Sequence, residues 1–233
     1  MARPFIVLDV EATQTVKTTV CRADLALVYD LGWIVTDGET VFERRSFIIS
    51  DVFYSPYMEN AYYADKLPQY YVAADLLDGD WVMINFIGAR RQFFADCATY
   101  GIKDVWAYNC RYDRLTLNNT INNLSNGFVD QFFPVGISIK DIWGAAGSTI
   151  CNTKKYVRWC MENGFLTDKG NPTTNAETVY SYLIADDFIE DHTALADCEI
   201  ELDILNAALR RKQKMDTREM QGWRNAARIA KQM

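Results

Sequence analysis

The chain has 233 residues, 49% of them apolar and 24% charged, which is enough for one large domain with a sizeable core and too ordinary a composition for global disorder. The net charge of −7 is uneven. Residues 210–233 carry eight Lys and Arg against Asp216 and Glu219, so this segment is +6 and the rest of the chain is −13. An acidic body disfavours tight non-specific binding to nucleic acid, which needs Lys and Arg at phosphates. It does not exclude metal-dependent chemistry on a nucleic acid, because bound cations reverse the local field. The basic segment is a candidate phosphate-contacting arm, though its pattern suits a solvated, partly frayed C-terminal helix better.

The six cysteines (Cys21, Cys97, Cys110, Cys151, Cys160, Cys198) form no C-x-x-C pair, and with a single histidine in the chain they do not make a structural zinc site. They suit reduced, mostly buried thiols, and a cytoplasmic location is the expectation. Strand-like sequence begins at once after Met1-Ala2-Arg3, which does not resemble a signal peptide, and no apolar run is long enough to span a bilayer, so no membrane partner is expected.

In chain order, Pro4 to Asp9 is a continuous apolar run, the pattern of a central strand buried on both faces. Leu25 to Thr36 is a second β-rich run. Asp37-Gly38 is turn chemistry, and Thr40 to Ser50 is the hairpin partner, so the chain opens as a three-stranded antiparallel meander. Residues 51–80 hold six tyrosines and two prolines without a clean period, which predicts a loop with short helical pieces, a lid or insertion, or else a tyrosine-rich flap without a functional role. Trp81 to Tyr100 has helical spacing, Asp104 to Asn109 is a short strand, Arg111 to Leu124 a helix, and Gly136 to Trp143 a strand. Helices follow at about 153–163, 175–184 and 193–214, with Asn163-Gly164 and Lys169-Gly170-Asn171-Pro172 as turns. There is no repeat and no linker. The fold class predicted is α/β: a mixed five-stranded sheet, the meander plus two parallel strands, flanked by helices. It forms a single domain over 1–209, with 210–233 as a basic helical tail.

Three sets of residues could carry chemistry. Asp9 and Glu11 alternate with Val10, and the period of 2 puts both carboxylates on one face of a strand end. Two carboxylates that close repel unless a cation neutralises them, and magnesium favours carboxylate oxygens with substrate phosphate. Alone, the pair also fits solvated loop residues. Asn109 ends a strand and Asp113 falls about one helical turn later, which could return Asp113 to the first strand; both also fit helix capping. His192 and Asp197 are five residues apart, about 500° on a helix, so they share a face only if His192 lies in the loop before the helix and Asp197 in its second turn. Ala194 and Ala196 would let that helix sit close to the sheet. A surface histidine beside an exposed helical aspartate has the same sequence.

Taken together, Asp9-x-Glu11, Asn109-x3-Asp113 and His192-x4-Asp197 resemble the three motifs of the DEDDh (DnaQ-like) 3′–5′ exonucleases, a branch of the ribonuclease H-like fold. The order, the element types and the wide spacing agree. So do Tyr29-Asp30-Leu31-Gly32-Trp33-Ile34 in the second strand and the helix opening at Asn175-Ala176-Glu177, so that the likeness covers roughly residues 4–209. The family commonly carries a short histidine-containing segment between its third strand and first long helix; here residues 51–80 stand in that place without histidine.

The resemblance implies the following roles. Asp9 would bridge two Mg²⁺ or Mn²⁺ ions, Glu11 and Asp197 would bind mainly one of them, and Asp113 would act on the other. His192 would be the general base, and nucleoside 5′-monophosphates would leave from the 3′ end of DNA or RNA. The main chain at Ala12 and Thr13, with Asn109, would meet the terminal nucleotide. From another class, a catalytically silent module of the same fold that binds a nucleic-acid end or a protein shares these residues, but five intact motif positions argue for activity. A glycosidase using Asp9 and Glu11 would leave His192 and Asp197 without work, and two carboxylates on one strand end are poorly placed to flank a sugar.

Overall fold

The structure is a computed structural model that describes residues 3–13, 26–56, 58, 82–186, 188, 192–218 and 223–232. A six-stranded sheet runs in the order β4-β3-β2-β1-β5-β6. Its strands are β1 (Phe5–Ala12), β2 (Val28–Thr36), β3 (Val41–Ile49), β4 (Val82–Ile84), β5 (Asp104–Ala107) and β6 (Ser138–Asp141). The helices are α1 (Ser50–Phe53), α2 (Phe86–Thr99), α3 (Cys110–Leu124), α4 (Ile142–Thr149), α5 (Lys154–Glu162), α6 (Ala176–Ile184), α7 (Ala194–Arg210) and α8 (Trp223–Ala230).

The α/β class is as expected, but the sheet has six strands where five were predicted. Trp81 to Tyr100 is not one helix: Val82 to Ile84 pairs parallel with Phe47 to Ile49 as an edge strand, and the helix begins only after Asn85, whose side chain accepts from the Gly88 amide. Three apolar residues are too few to show a period, and the cap is the stronger signal. The segment 142–149, expected as the end of a strand and a connection, is helix α4, opened by Asp141, which accepts from the Trp143 amide. The lid expected over 51–80 lies mostly outside the described residues, which show only α1 and a short turn after it. No helix among the described residues is long and apolar enough to cross a membrane.

The chain divides into two compact units. The first comprises Met1–Val105, Arg111–Ser138 and His192–Cys198. Here β1 pairs antiparallel with β2, and β2 with β3 across the Asp37-Gly38 turn. Asp37 closes that turn by accepting from the Glu39 and Thr40 amides, and these donors, Thr40 foremost, hold its carboxyl below the usual range. Gly38 sits at φ 93°, open to glycine at no steric cost. Ile6, Leu8 and Val10 of β1 face the same core as Leu31, Trp33 and Val35 of β2, with Phe86 and Phe93 of α2 and Leu117 and Ile121 of α3. Full burial of each such side chain is worth about 1.5–3 kcal/mol. The indole N–H of Trp33 donates to Asp96 at 3.0 Å, and Asp96 also pairs with Arg45 at 3.2 Å, so the one buried carboxylate in this wall of rings has partners on two strands. That carboxylate raises the Arg45 pKa.

The second unit comprises Trp106–Cys110, Ile139–Asp191 and Glu199–Met233. Its core gathers Tyr156, Trp159, Phe165 and Tyr182, with Trp159 and Phe165 stacked at 4.8 Å. The basic tail is not a frayed solvated segment throughout: α8 buries Ala226 and Ala227 and packs against α4 and α5. Its strongly one-sided apolar pattern explains this, with alanines inward and Arg224 and Arg228 outward. The described cysteines are buried thiols.

Candidate active site

The motif residues Asp9, Glu11, Asp113, His192 and Asp197 all belong to the first unit. The two-residue period of β1 separates its faces: Ile6, Leu8 and Val10 go to the apolar core, and Asp9 and Glu11 to the other side. Glu11 is only 9% exposed and Asp9 is half-buried. Immediately after Glu11 the pairing with β2 slips by a residue, a bulge that ends the regular ladder at the carboxylates.

Across the ladder Asp9 faces Gly32 and Glu11 faces Asp30. These two β2 residues seat the start of α7. Asp30, fully buried, accepts from the Ala194 amide at 3.0 Å, which satisfies one of the helix's first donors. Gly32 lets the helix backbone approach the strand: a Cβ there would stand 2.5 Å from the Leu195 nitrogen and 2.6 Å from the Ala194 carbonyl carbon. Ala194 is buried, in keeping with the close approach its small side chain suggested.

His192 lies in the segment before α7 at φ 52°, a left-handed conformation rare for a side chain of its size. Asp197 is in the first turn of α7, not the second, its amide donating to the Thr193 carbonyl at 3.0 Å. The helix begins at Ala194 with His192 outside it, so the pair comes together without the 500° mismatch of two residues on one helix. One donor atom each from Glu11, His192 and Asp197 lies within 4.8 Å of the other two. Among the described residues no further His, Cys, Asp or Glu joins all three at that distance. Asp113, 3% exposed, occupies the first turn of α3. The two carboxylates of this group suit a hard divalent cation such as Mg²⁺ or Mn²⁺, which favours oxygen ligands, and the imidazole lies beside them.

The expected nucleotide contacts are less uniform. Thr13 is buried, its amide donates to the Leu27 carbonyl at 2.8 Å, and its hydroxyl accepts from the Leu27 amide at 3.3 Å. Both groups are therefore engaged within the fold, while Ala12 ends β1 beside the bulge. Asn109 belongs to the second unit, at φ 60°, exposed, with its amide donating to Asp141 at 3.0 Å. Asp30 and Gly32 were not among the expected site residues, although Tyr-Asp-Leu-Gly-Trp stood out in the sequence. Their role depends on a helix more than 160 residues away in the chain.

No protein-family model matches the chain, and no curated protein matches it. Solved structures do. E. coli exonuclease I bound to a dA16 oligonucleotide superposes with TM-score 0.56 at 19% identity over 86% of this chain and 39% of that one. The chain thus spans about two-fifths of the length of exonuclease I. A 3′-exonuclease described in 3′-end-specific recognition of a histone mRNA stem-loop gives 0.62 at 10% identity, over 93% and 85% of the two chains. The nuclease domain of 3′hExo, a DEDDh family member, bound to rAMP gives 0.56 at 11% identity, over 94% and 98%. At these identities the likeness is one of architecture: the chain shares its fold with part of exonuclease I and with the nuclease domain of 3′hExo.

Proposed function

We propose that this protein is a metal-dependent 3′–5′ exonuclease that hydrolyses phosphodiester bonds from the 3′ end of DNA or RNA and releases nucleoside 5′-monophosphates. The observation that carries the reading is the convergence of Glu11, His192 and Asp197 within 4.8 Å, from opposite ends of the chain, in a fold shared with known exonucleases.

Asp9, Glu11, Asp113 and Asp197 would hold two divalent ions, Mg²⁺ or Mn²⁺. Such ions lower the pKa of water and neutralise charge developing at phosphorus. The chain's own part is to place the base and exclude alternatives. His192 would be the general base that takes the proton from the attacking water. Asp30 and Gly32 hold the start of α7 against the strand that carries Asp9 and Glu11, so the base and the carboxylates keep one spacing. The product carries the phosphate on its 5′ oxygen, and the shortened strand keeps a free 3′ hydroxyl.

The test is incubation of the chain with 5′-labelled single strands of DNA and RNA and Mn²⁺ or Mg²⁺, with and without EDTA. Stepwise shortening that EDTA abolishes is expected. Labelled strands that stay full length under every metal condition would refute an enzymatic role and favour a silent end-binding module.

A further inference from the structure

The nuclease reading leaves the Lys169-Gly170-Asn171-Pro172 turn without work, yet this turn is carefully built. The Thr167 amide donates to the Asn171 carbonyl at 2.8 Å, the Gly170 amide to the Thr167 carbonyl at 2.7 Å, and Leu166 bridges Pro172, so the tip is a closed hairpin with Gly170 at φ 71°. The tip lines one side of a cleft of about 700 Å³ within the second unit, a size typical of small-molecule sites, which run from ~300 to ~1,000 Å³.

Tyr108 and Trp143 also line the cleft, their rings near-parallel at 25° with centroids 6.4 Å apart. Both are tied to one residue, Thr174, which is 4% exposed. The Tyr108 hydroxyl donates to its carbonyl and the Trp143 indole N–H donates to its hydroxyl at 2.9 Å. Their polar atoms are thus engaged inside the fold while the half-buried rings still offer fixed π-surface. Around them the lining is carboxamide and charge: Asn109 and Asn171, with Lys169 and Asp168 at the tip. A flat heteroaromatic ring with donors and acceptors on its edge, joined to a polyol and an anion, matches this set. The rings would stack a base, the carboxamides pair with its edge as they do with adenine, Asp168 accept from a ribose hydroxyl, and Lys169 meet phosphate.

We propose that this cleft binds a nucleotide through its base and phosphate. The assignment of the ligand's source, a segment of the substrate strand or a released 5′-monophosphate, rests on the nuclease reading; the binding itself does not.

The experiment follows the Trp143 indole N–H resonance in the full chain labelled with ¹⁵N-tryptophan, identified by its loss in Trp143→Phe, with EDTA present throughout. 5′-AMP and adenosine should each move it saturably and inorganic phosphate should not. Lys169→Ala, on the exposed tip, should weaken AMP several-fold, to the level of adenosine. A 5′-phosphorylated dinucleotide binding tenfold or more tighter than AMP identifies a strand segment, and equal binding identifies the mononucleotide. A Trp143 resonance that stays still up to millimolar AMP overturns the proposal, as does one that AMP moves with equal affinity in the Lys169→Ala, Asn171→Ala double variant. Because metal is absent, these outcomes are independent of strand shortening: a protein that binds AMP here but never shortens a strand refutes only the nuclease reading.

Discussion

Gly32→Ala probes how the two ends of the chain form one site. The new Cβ would stand 2.5 Å from the Leu195 nitrogen, 2.6 Å from the Ala194 carbonyl carbon and 2.8 Å from its oxygen, where ordinary contact begins at 3.4 Å. All three are backbone atoms, so no side chain can rotate away. Either α7 retreats by about 0.9 Å or β2 bends, and β2 is held on both edges by β1 and β3. Overpacking of this kind costs about 1–3 kcal/mol. At about 2–4 °C per kcal/mol for a chain of this size, the melting temperature should fall by roughly 2–12 °C. The catalytic effect should be larger than the stability effect suggests. His192 and Asp197 move with the start of α7 while Asp9 and Glu11 stay with β1, and a displacement near 1 Å between reacting groups can cost ~10²-fold in rate. The assay is the rate of EDTA-sensitive strand shortening at a temperature well below the melting midpoint, with circular dichroism showing an intact fold. Wild-type rate and an unchanged melting temperature would refute the argument that close backbone contact at Gly32 seats α7.

Asp30→Ala should destabilise the protein by about 0.5–2 kcal/mol, read by denaturant unfolding, because the Ala194 amide loses its cap acceptor; Asp30→Asn, which keeps an acceptor, should lose less. His192→Ala should lower turnover by orders of magnitude while Mn²⁺ binding, followed by calorimetry, largely survives; full rate at neutral pH would remove His192 from the general-base role. Glu11→Gln and Asp9→Ala should lose metal and activity together in the same two measurements. Burial pushes the Cys97 thiol up to about 12 and the Cys160 thiol to about 11, so both stay protonated at pH 8, and mass spectrometry after iodoacetamide should find them unlabelled in the native protein and labelled in urea.

Where chemistry repeats locally, the amino-acid order alone was enough. The apolar run before Asp9 determined a central strand, Asp37-Gly38 determined a hairpin, and Asn175 determined the start of α6 by capping it. The motif residues were legible for the same reason: Asp9 and Glu11 must share a strand face whatever the strand packs against. Val82 to Ile84 was misjudged because three apolar residues carry no period, and pairing with β3 decided what they became. The turn of α7 that holds Asp197 was misplaced because a helix start depends on its cap, and this cap, Asp30, comes from β2. Tertiary structure alone decided that Gly32 clears a path for α7, that His192 adopts a left-handed backbone, and that Glu11, His192 and Asp197 meet within 4.8 Å. A sequence records which side chains can coordinate or titrate, since that is a property of each residue. The distance between them is set by backbone contact between segments far apart in the chain, and here one glycine and one buried aspartate on β2 set it.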